Sequence, residues 1–131
     1  MTCVDRATRC IVGFGVVWNR DWEVMQRVVD AAPPARRYFS DGFPIYAQLT
    51  YSGTHAVAPG KSKTFSVEGD NAELRHYLAR LARKSRCFSR CLWALTRAVG
   101  LFVYAWNRRQ RAKRAFPKRP AEVCDFVADL L

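Results

Sequence analysis

Between Glu73 and Glu122 the sequence contains no Asp or Glu, although that stretch holds 14 of the 22 Lys and Arg residues. Residues 1–73 are nearly balanced, so the net charge of +11 resides almost wholly in one half of the chain. Such asymmetry points to an anionic partner, nucleic acid first and a membrane surface second. Also missing is any C-x-x-C pair among the five cysteines at 3, 10, 87, 91 and 124, and the two histidines, His55 and His76, stand apart from them. A structural zinc site needs about four converging ligands, so the cysteines argue for a reducing, cytoplasmic setting instead. Cys87 and Cys91, four positions apart, fit one face of a helix. The first 20 residues lack the basic start, apolar block and small-residue cleavage site of a secretory leader. The longest apolar stretch, 91–106, covers 16 positions and includes Arg97. A membrane span needs about 20, so this stretch reads as a buried helix. There is no internal repeat.

What is present is enough apolar material for a packed core. Half of the 131 residues are hydrophobic, which sets the chain apart from disordered basic tails and suits a single domain.

The pattern along the chain alternates between strands and helices. Residues 1–18 read as the end of one strand, a turn at 5–8 and a second strand at 10–17. The second strand is apolar on both faces and is expected to be buried on both. Its glycines, Gly13 and Gly15, share one face and leave room for close packing. Asn19 is placed to cap a helix whose stripe is Trp22, Met25, Val28 and Val29, ended by Pro33 and Pro34. A short strand at 37–40 leads into Asp41-Gly42, a short helix at 43–49 opens with Pro44, and another strand covers 55–58. This order predicts a mixed α/β sheet. Beyond it come two helices. The first, at 68–84, carries Leu74, Tyr77, Leu78 and Leu81; the second, at 88–106, carries Leu92, Leu95, Val99, Phe102 and Trp106. A basic tail follows, broken by Pro117 and Pro120, with a short amphipathic helix at 121–131.

Two carboxylates stand out. Asp41 follows a strand, and open α/β sheets gather functional groups at the carboxyl ends of strands. Glu68 opens a helix on which Asn71 and Arg75 fall along the same side, away from the leucine stripe. Carboxylates brought together from a strand end and a helix suit Mg²⁺, which prefers oxygen ligands and keeps positions open for water and phosphate. Two such ions can clamp an in-line phosphoryl displacement, and Arg75 offers a planar fork for a phosphate. Taken alone, the same residues also read as a turn starter and a helix cap.

The wider pattern resembles the small bacterial insertion-sequence transposases of InsB type. Ser40-Asp41-Gly42-Phe43-Pro44-Ile45-Tyr46 is similar to that family's second-aspartate motif, and His55-Ala56-Val57-Ala58 to the strand after it. Glu68, Asn71 and Arg75 fall in its E-x-x-N-x-x-x-R core, continued by LARLARKS at 78–85 and Phe88-Ser89. The resemblance covers residues 1 to about 104; the basic tail is less family-like.

The resemblance implies a ribonuclease H-like fold of the Asp-Asp-Glu superfamily and Mg²⁺-dependent DNA strand cleavage and transfer, with Mn²⁺ able to substitute. Asp41 would be the second catalytic and metal-binding carboxylate and Glu68 the third. Asn71, Arg75, Arg80, Arg83, Lys84 and Arg86 would contact DNA, both transposon ends and target. No membrane partner is implied, and homo-oligomerisation of the full-length family member is left open. The family's first catalytic aspartate belongs on a strand upstream of Asp5, which itself aligns with a turn. The expectation is therefore an incomplete ribonuclease H-like sheet. Residues 1–107 would form the partial catalytic domain and 108–131 the basic tail. Unpaired edges and a lost ligand would leave the isolated chain poorly stable and inactive, as a remnant or the product of a shifted reading frame. Two alternatives stand beside this reading. One is a non-enzymatic basic nucleic-acid-binding protein, with Trp93, Trp106 and Phe116 stacking on bases. The other is a basic protein at a membrane surface through 91–106.

Overall fold

The computed structural model describes residues 1–58, 64–78 and 90–127. Strands and helices alternate through the first half of the chain: β1 (Thr2–Val4), β2 (Ile11–Phe14), α1 (Trp22–Ala31), β3 (Arg37–Ser40), α2 (Pro44–Gln48), β4 (Thr54–Val57), then α3 (Phe65–Tyr77) and α4 (Leu92–Ala115). The mixed α/β class read from the sequence is what the chain adopts. Its strands form two separate pairs: β1 with β2, antiparallel, and β3 with β4, parallel. The parallel pair runs from Arg37 opposite Thr54 to Ser40 opposite Val57. Parallel neighbours need a crossover of about a dozen residues, and 41–53, which contains α2, supplies it. In the antiparallel pair the register slips between Cys3 and Val4.

Each pair has its own core. Ile11 of β2 packs with Leu74 of α3 and with Leu95, Val99 and Val103 of α4. Met25 and Val29 of α1 pack with Leu49, and Tyr38, Ile45 and Tyr51 close around them. The two glycines next to α1 are there for space. A Cβ on Gly15 would lie 2.5 Å from Val28 Cγ2, and one on Gly13 would lie 3.0 Å from Ala32 Cβ.

Several expectations are corrected. Helix α1 begins two residues later than an Asn19 cap requires, with Asp21 at the cap position and no side-chain cap bond. Trp22 is half exposed while Met25, Val28 and Val29 are buried, so the apolar stripe starts one turn in. Strand β2 is buried at Ile11 but not at Val12, which faces an open cleft. Helix α4 starts later and runs further than 88–106, through Asn107 to Ala115. It is buried along one face only: Trp93, Leu101 and Tyr104 are exposed. Trp106 stacks on Phe102 against the core, which removes it from the aromatics available to bases. Within 121–127 the chain forms a 3-10 turn at Val123–Asp125, and the rest of the expected amphipathic helix, 128–131, lies outside the described residues. Cys91 sits at the N-cap of α4, whereas Cys87 and Leu81 lie outside the described residues. Among the described residues no helix is long and apolar enough to cross a membrane.

Two ionic knots lock the helices. Arg9, in the β1–β2 turn, holds a left-handed backbone (φ 61°) and donates to Asp70 of α3 at 2.8 Å. Asp70 is 1% exposed; burial pushes its carboxyl up, and the Arg9 guanidinium opposes that shift. Trp106 Nε1 donates to the Arg9 carbonyl at 3.2 Å. Asn107 brackets Ile11, accepting from its N–H and donating to its carbonyl, both at 2.7 Å. The second knot is Asp125, buried and paired with Arg109 and Arg119. The Glu122 N–H, followed by the two guanidiniums, holds its carboxyl below the usual range.

Both knots are testable. Arg9→Ala strands a buried carboxylate and should lower unfolding free energy by about 2 kcal/mol. Arg9→Gly loses the same pair but relieves the left-handed backbone, so it should be milder by about 1 kcal/mol. Denaturant titration distinguishes the two, and equal losses would show that the turn stores no strain. The Asp125 carboxylate stabilises the fold above its unfolded pKa of about 3.9, and that contribution fades as pH falls through its lower folded value. The Tm gap between wild type and Asp125→Asn should therefore be constant near neutrality and narrow in strong acid.

Candidate active site

Among the described residues β1 and β3 each pair with one neighbour, and their other edges face a common cleft of about 590 Å³. Residues 1–6 and 37–41 line it consecutively. A strand face would present every second residue, so consecutive lining marks strand edges. Helix α3 closes the cleft with Val67, Glu68 and Asn71. Its volume falls within the range of about 300–1,000 Å³ usual for ligand sites.

Asp41 and Glu68 thus line the same cavity, one from the carboxyl end of β3 and one from the first turn of α3. Both side chains are exposed and both have local duties. Asp41 Oδ1 accepts the Phe43 N–H at 3.0 Å, which starts α2. Glu68 Oε1 accepts the Thr64 hydroxyl at 3.3 Å, and its position in the first turn suits a carboxylate through the helix dipole. Asn71, one turn further along α3, accepts the Thr2 hydroxyl at 2.8 Å. That bond ties α3 to β1 and leaves the Asn71 amide N–H groups directed elsewhere. Arg75 is exposed and outside the cleft lining. Arg80, Arg83, Lys84 and Arg86 lie outside the described residues.

A third carboxylate, Asp5, also lines the cleft, but its oxygens are engaged by the Thr8 hydroxyl at 2.6 Å and the Ala7 N–H at 3.2 Å. The Thr8 bond is the main reason its carboxyl titrates below the usual range. Among the described residues no three His, Cys, Asp or Glu side chains gather closely enough to hold a metal on their own. The cleft lining holds the carboxylates of Asp5, Asp41 and Glu68 and the amide of Asn71, oxygen donors of the kind a hard cation such as magnesium prefers.

The far wall is drier. Burial raises the Cys3 thiol and the Tyr46 phenol and pushes Tyr51 up to about 12. These groups remain neutral at physiological pH. His55 was read from the sequence only as a strand residue. Its Nε2 lies 2.8 Å from Ser40 Oγ and its ring stacks on Tyr51 at 4.4 Å, fixing the end of β3 just before Asp41. The signal for it was the pairing of the two strands, which places 55 beside 38. Arg6, a second residue the sequence reading passed over, lines the cleft with its guanidinium 5.1 Å from the Phe39 ring.

A family model for IS1 transposase matches residues 3–116. The chain belongs to the IS1 transposase family. The match takes in Asp41, Glu68, Asn71 and Arg75. It also runs on through the basic end of α4, further than the motifs alone reach. The InsB protein of insertion element IS1 from Shigella flexneri is 29% identical over 101 residues, 76% of this chain and 75% of that protein. The InsB proteins of IS1 elements 2 and 3 from Escherichia coli strain K12 are each 28% identical over 101 residues, covering 59% of their own length. No solved structure matches. Family membership supports DNA transposition as the activity class and DNA as the partner.

Because Asp41 also starts α2, its two roles can be separated. Asp41→Ala loses the bond to the Phe43 N–H and should lower stability by about 1 kcal/mol, while Asp41→Asn keeps an acceptor and should cost only a few tenths. Thermal unfolding of the two variants checks this, and identical Tm values would show that the bond carries no stability.

Proposed function

We propose that this transposase chain forms part of a ribonuclease H-like catalytic unit in which Asp41 and Glu68 hold a divalent cation, Mg²⁺ with Mn²⁺ as substitute, for cleavage and transfer of DNA strands. The observation that carries the reading is the shared cleft. Two carboxylates 27 positions apart, on a strand end and a helix start, border one cavity inside the region matched by the family. When bound there, the cation supplies charge neutralisation at a phosphodiester and lowers the pKa of water.

The protein's own residues do the positioning. The carboxylates of Asp41 and Glu68 border the cavity, where they would flank a phosphodiester entering the cleft. Asn71, held by Thr2, offers amide N–H groups to a non-bridging phosphate oxygen. Arg75, one turn further along α3, meets the next phosphate. Phosphoryl transfer depends largely on such placement and on electrostatic stabilisation. Among the described residues Asp41 and Glu68 are the lining carboxylates that remain beside Asp5, which is tied into its turn. The isolated chain therefore binds the cation weakly and does not cleave DNA. In this reading 1–107 is the catalytic portion, 108–131 a basic extension, and Arg80, Arg83, Lys84 and Arg86 add DNA contacts. A second reading, a nucleic-acid-binding protein without catalysis, is favoured by the structural duties that Asp41 and Glu68 already perform.

Titration calorimetry with Mn²⁺ on the full chain separates the two. Wild type should bind, and Asp41→Asn with Glu68→Gln should weaken binding by more than about tenfold with at most a small loss of Tm. Binding that survives both changes would place the cation elsewhere and favour the second reading.

A further inference from the structure

Helix α4 changes character at Asn107. Before it, Leu95, Val99 and Val103 are core; after it come Arg108, Arg109, Arg111, Lys113 and Arg114, with Lys118 and Arg119 just beyond the helix end. A run of this kind is often only a solvated face, but here the structure divides it in two. Arg108 donates to the carbonyls of Cys124 and Val127, and Arg109 and Arg119 converge on the buried Asp125. Those three arginines bind the returning chain to the helix. Arg111, Lys113, Arg114 and Lys118 are exposed and form no ion pair among the described residues.

The position of the second group is fixed. Asn107 grips both backbone groups of Ile11, which seats this part of the helix beside the β1–β2 turn. Arg111 and Arg114 lie four and seven positions on from Asn107, along the same face. Arg114 is near enough to Asp5 to help lower its carboxyl, and Asp5 and Arg6 line the cleft. Positive charge therefore continues from the last turns of α4, past the turn, to the cavity bordered by Asp41 and Glu68. Along the helix axis Arg111 and Arg114 are about 4.5 Å apart, on the scale of the 3.4 Å rise per charge along one DNA strand.

We infer that Arg111, Lys113, Arg114 and Lys118 form a track for the phosphodiester backbone of duplex DNA that leads into the cleft, while Arg108, Arg109 and Arg119 are structural. The track rests on the proposed function for the identity of its partner. A lipid surface fits less well. A membrane-lying helix needs an apolar face beside its cations; the side of α4 next to these four is covered by the 3-10 turn and its arginine bonds, and the exposed Trp93, Leu101 and Tyr104 all precede Asn107.

The test is fluorescence anisotropy of the full chain on a random-sequence 20-base-pair duplex across a salt series, with Tm measured for every variant. Arg111→Gln with Arg114→Gln should reduce the slope of log K against log salt by about two, one unit per lost phosphate contact, with Tm unchanged. Asp125→Asn should lower Tm and leave the slope as in wild type. An unchanged slope in the double variant overturns the track. So does binding of the wild type to vesicles of phosphatidylserine and phosphatidylcholine with none to the duplex. The Mn²⁺ titration reports separately on the cleft. An unchanged slope in the double variant with intact Mn²⁺ binding counts against the track alone, and a reduced slope with no Mn²⁺ binding counts against the metal site alone.

Discussion

Arg9 is the residue on which the arrangement of the molecule depends. Its backbone makes the left-handed turn that closes the β1–β2 hairpin. Its guanidinium pairs with the buried Asp70 of α3, and its carbonyl receives the Trp106 indole of α4. One residue thus joins a hairpin and two helices that are far apart in sequence. A buried carboxylate is costly unless paired, so Asp70 can occupy its site only when the turn is formed and docked. That condition fixes the rotation of α3 about its axis. With Asp70 turned inward, Glu68 and Asn71 fall on the side that borders the cleft.

The cleft follows from the way the sheet is divided. Among the described residues β1 pairs only with β2 and β3 only with β4, which leaves one edge of each open. The open edges of β1 and β3 become walls, and α3 becomes the third side. A carboxylate at the end of β3 and another at the start of α3 then border the same space without any unusual backbone at either. Their cost is modest because each also serves locally, Asp41 as the start of α2 and Glu68 at the favourable end of a helix dipole. Local roles and shared placement are compatible: both carboxylates keep an exposed side toward the cavity.

Features encoded over a few residues were legible in the sequence. The Pro44 start of α2, the end of α1 before Pro33, the two strands flanking α2 and the glycines under Val28 depend on backbone preferences and spacing, and they stand close to where the pattern put them. Asp41 and Glu68 could be named for the same reason, one after a strand and one at a helix start. Features that depend on distant partners were not legible. Apolar periodicity has no way to mark Asp70, a polar residue whose burial is made possible by Arg9, 61 positions away. It likewise could not separate Arg109 from Arg111, since the difference lies in Asp125 at the far end of the tail. Val12 was read as buried because its neighbours are apolar; it is exposed at the cleft, a cavity defined only once the elements have packed.

The central claim is that residues 41 and 68 share one divalent-cation site. The most direct measurement is anomalous diffraction from crystals of the chain grown or soaked with Mn²⁺. The account predicts one anomalous peak in the cleft, within coordination distance of about 2.1 Å from an oxygen of each carboxylate. A peak bound elsewhere, or an electron density map that puts the two carboxylates on opposite sides of an intact strand, would contradict it.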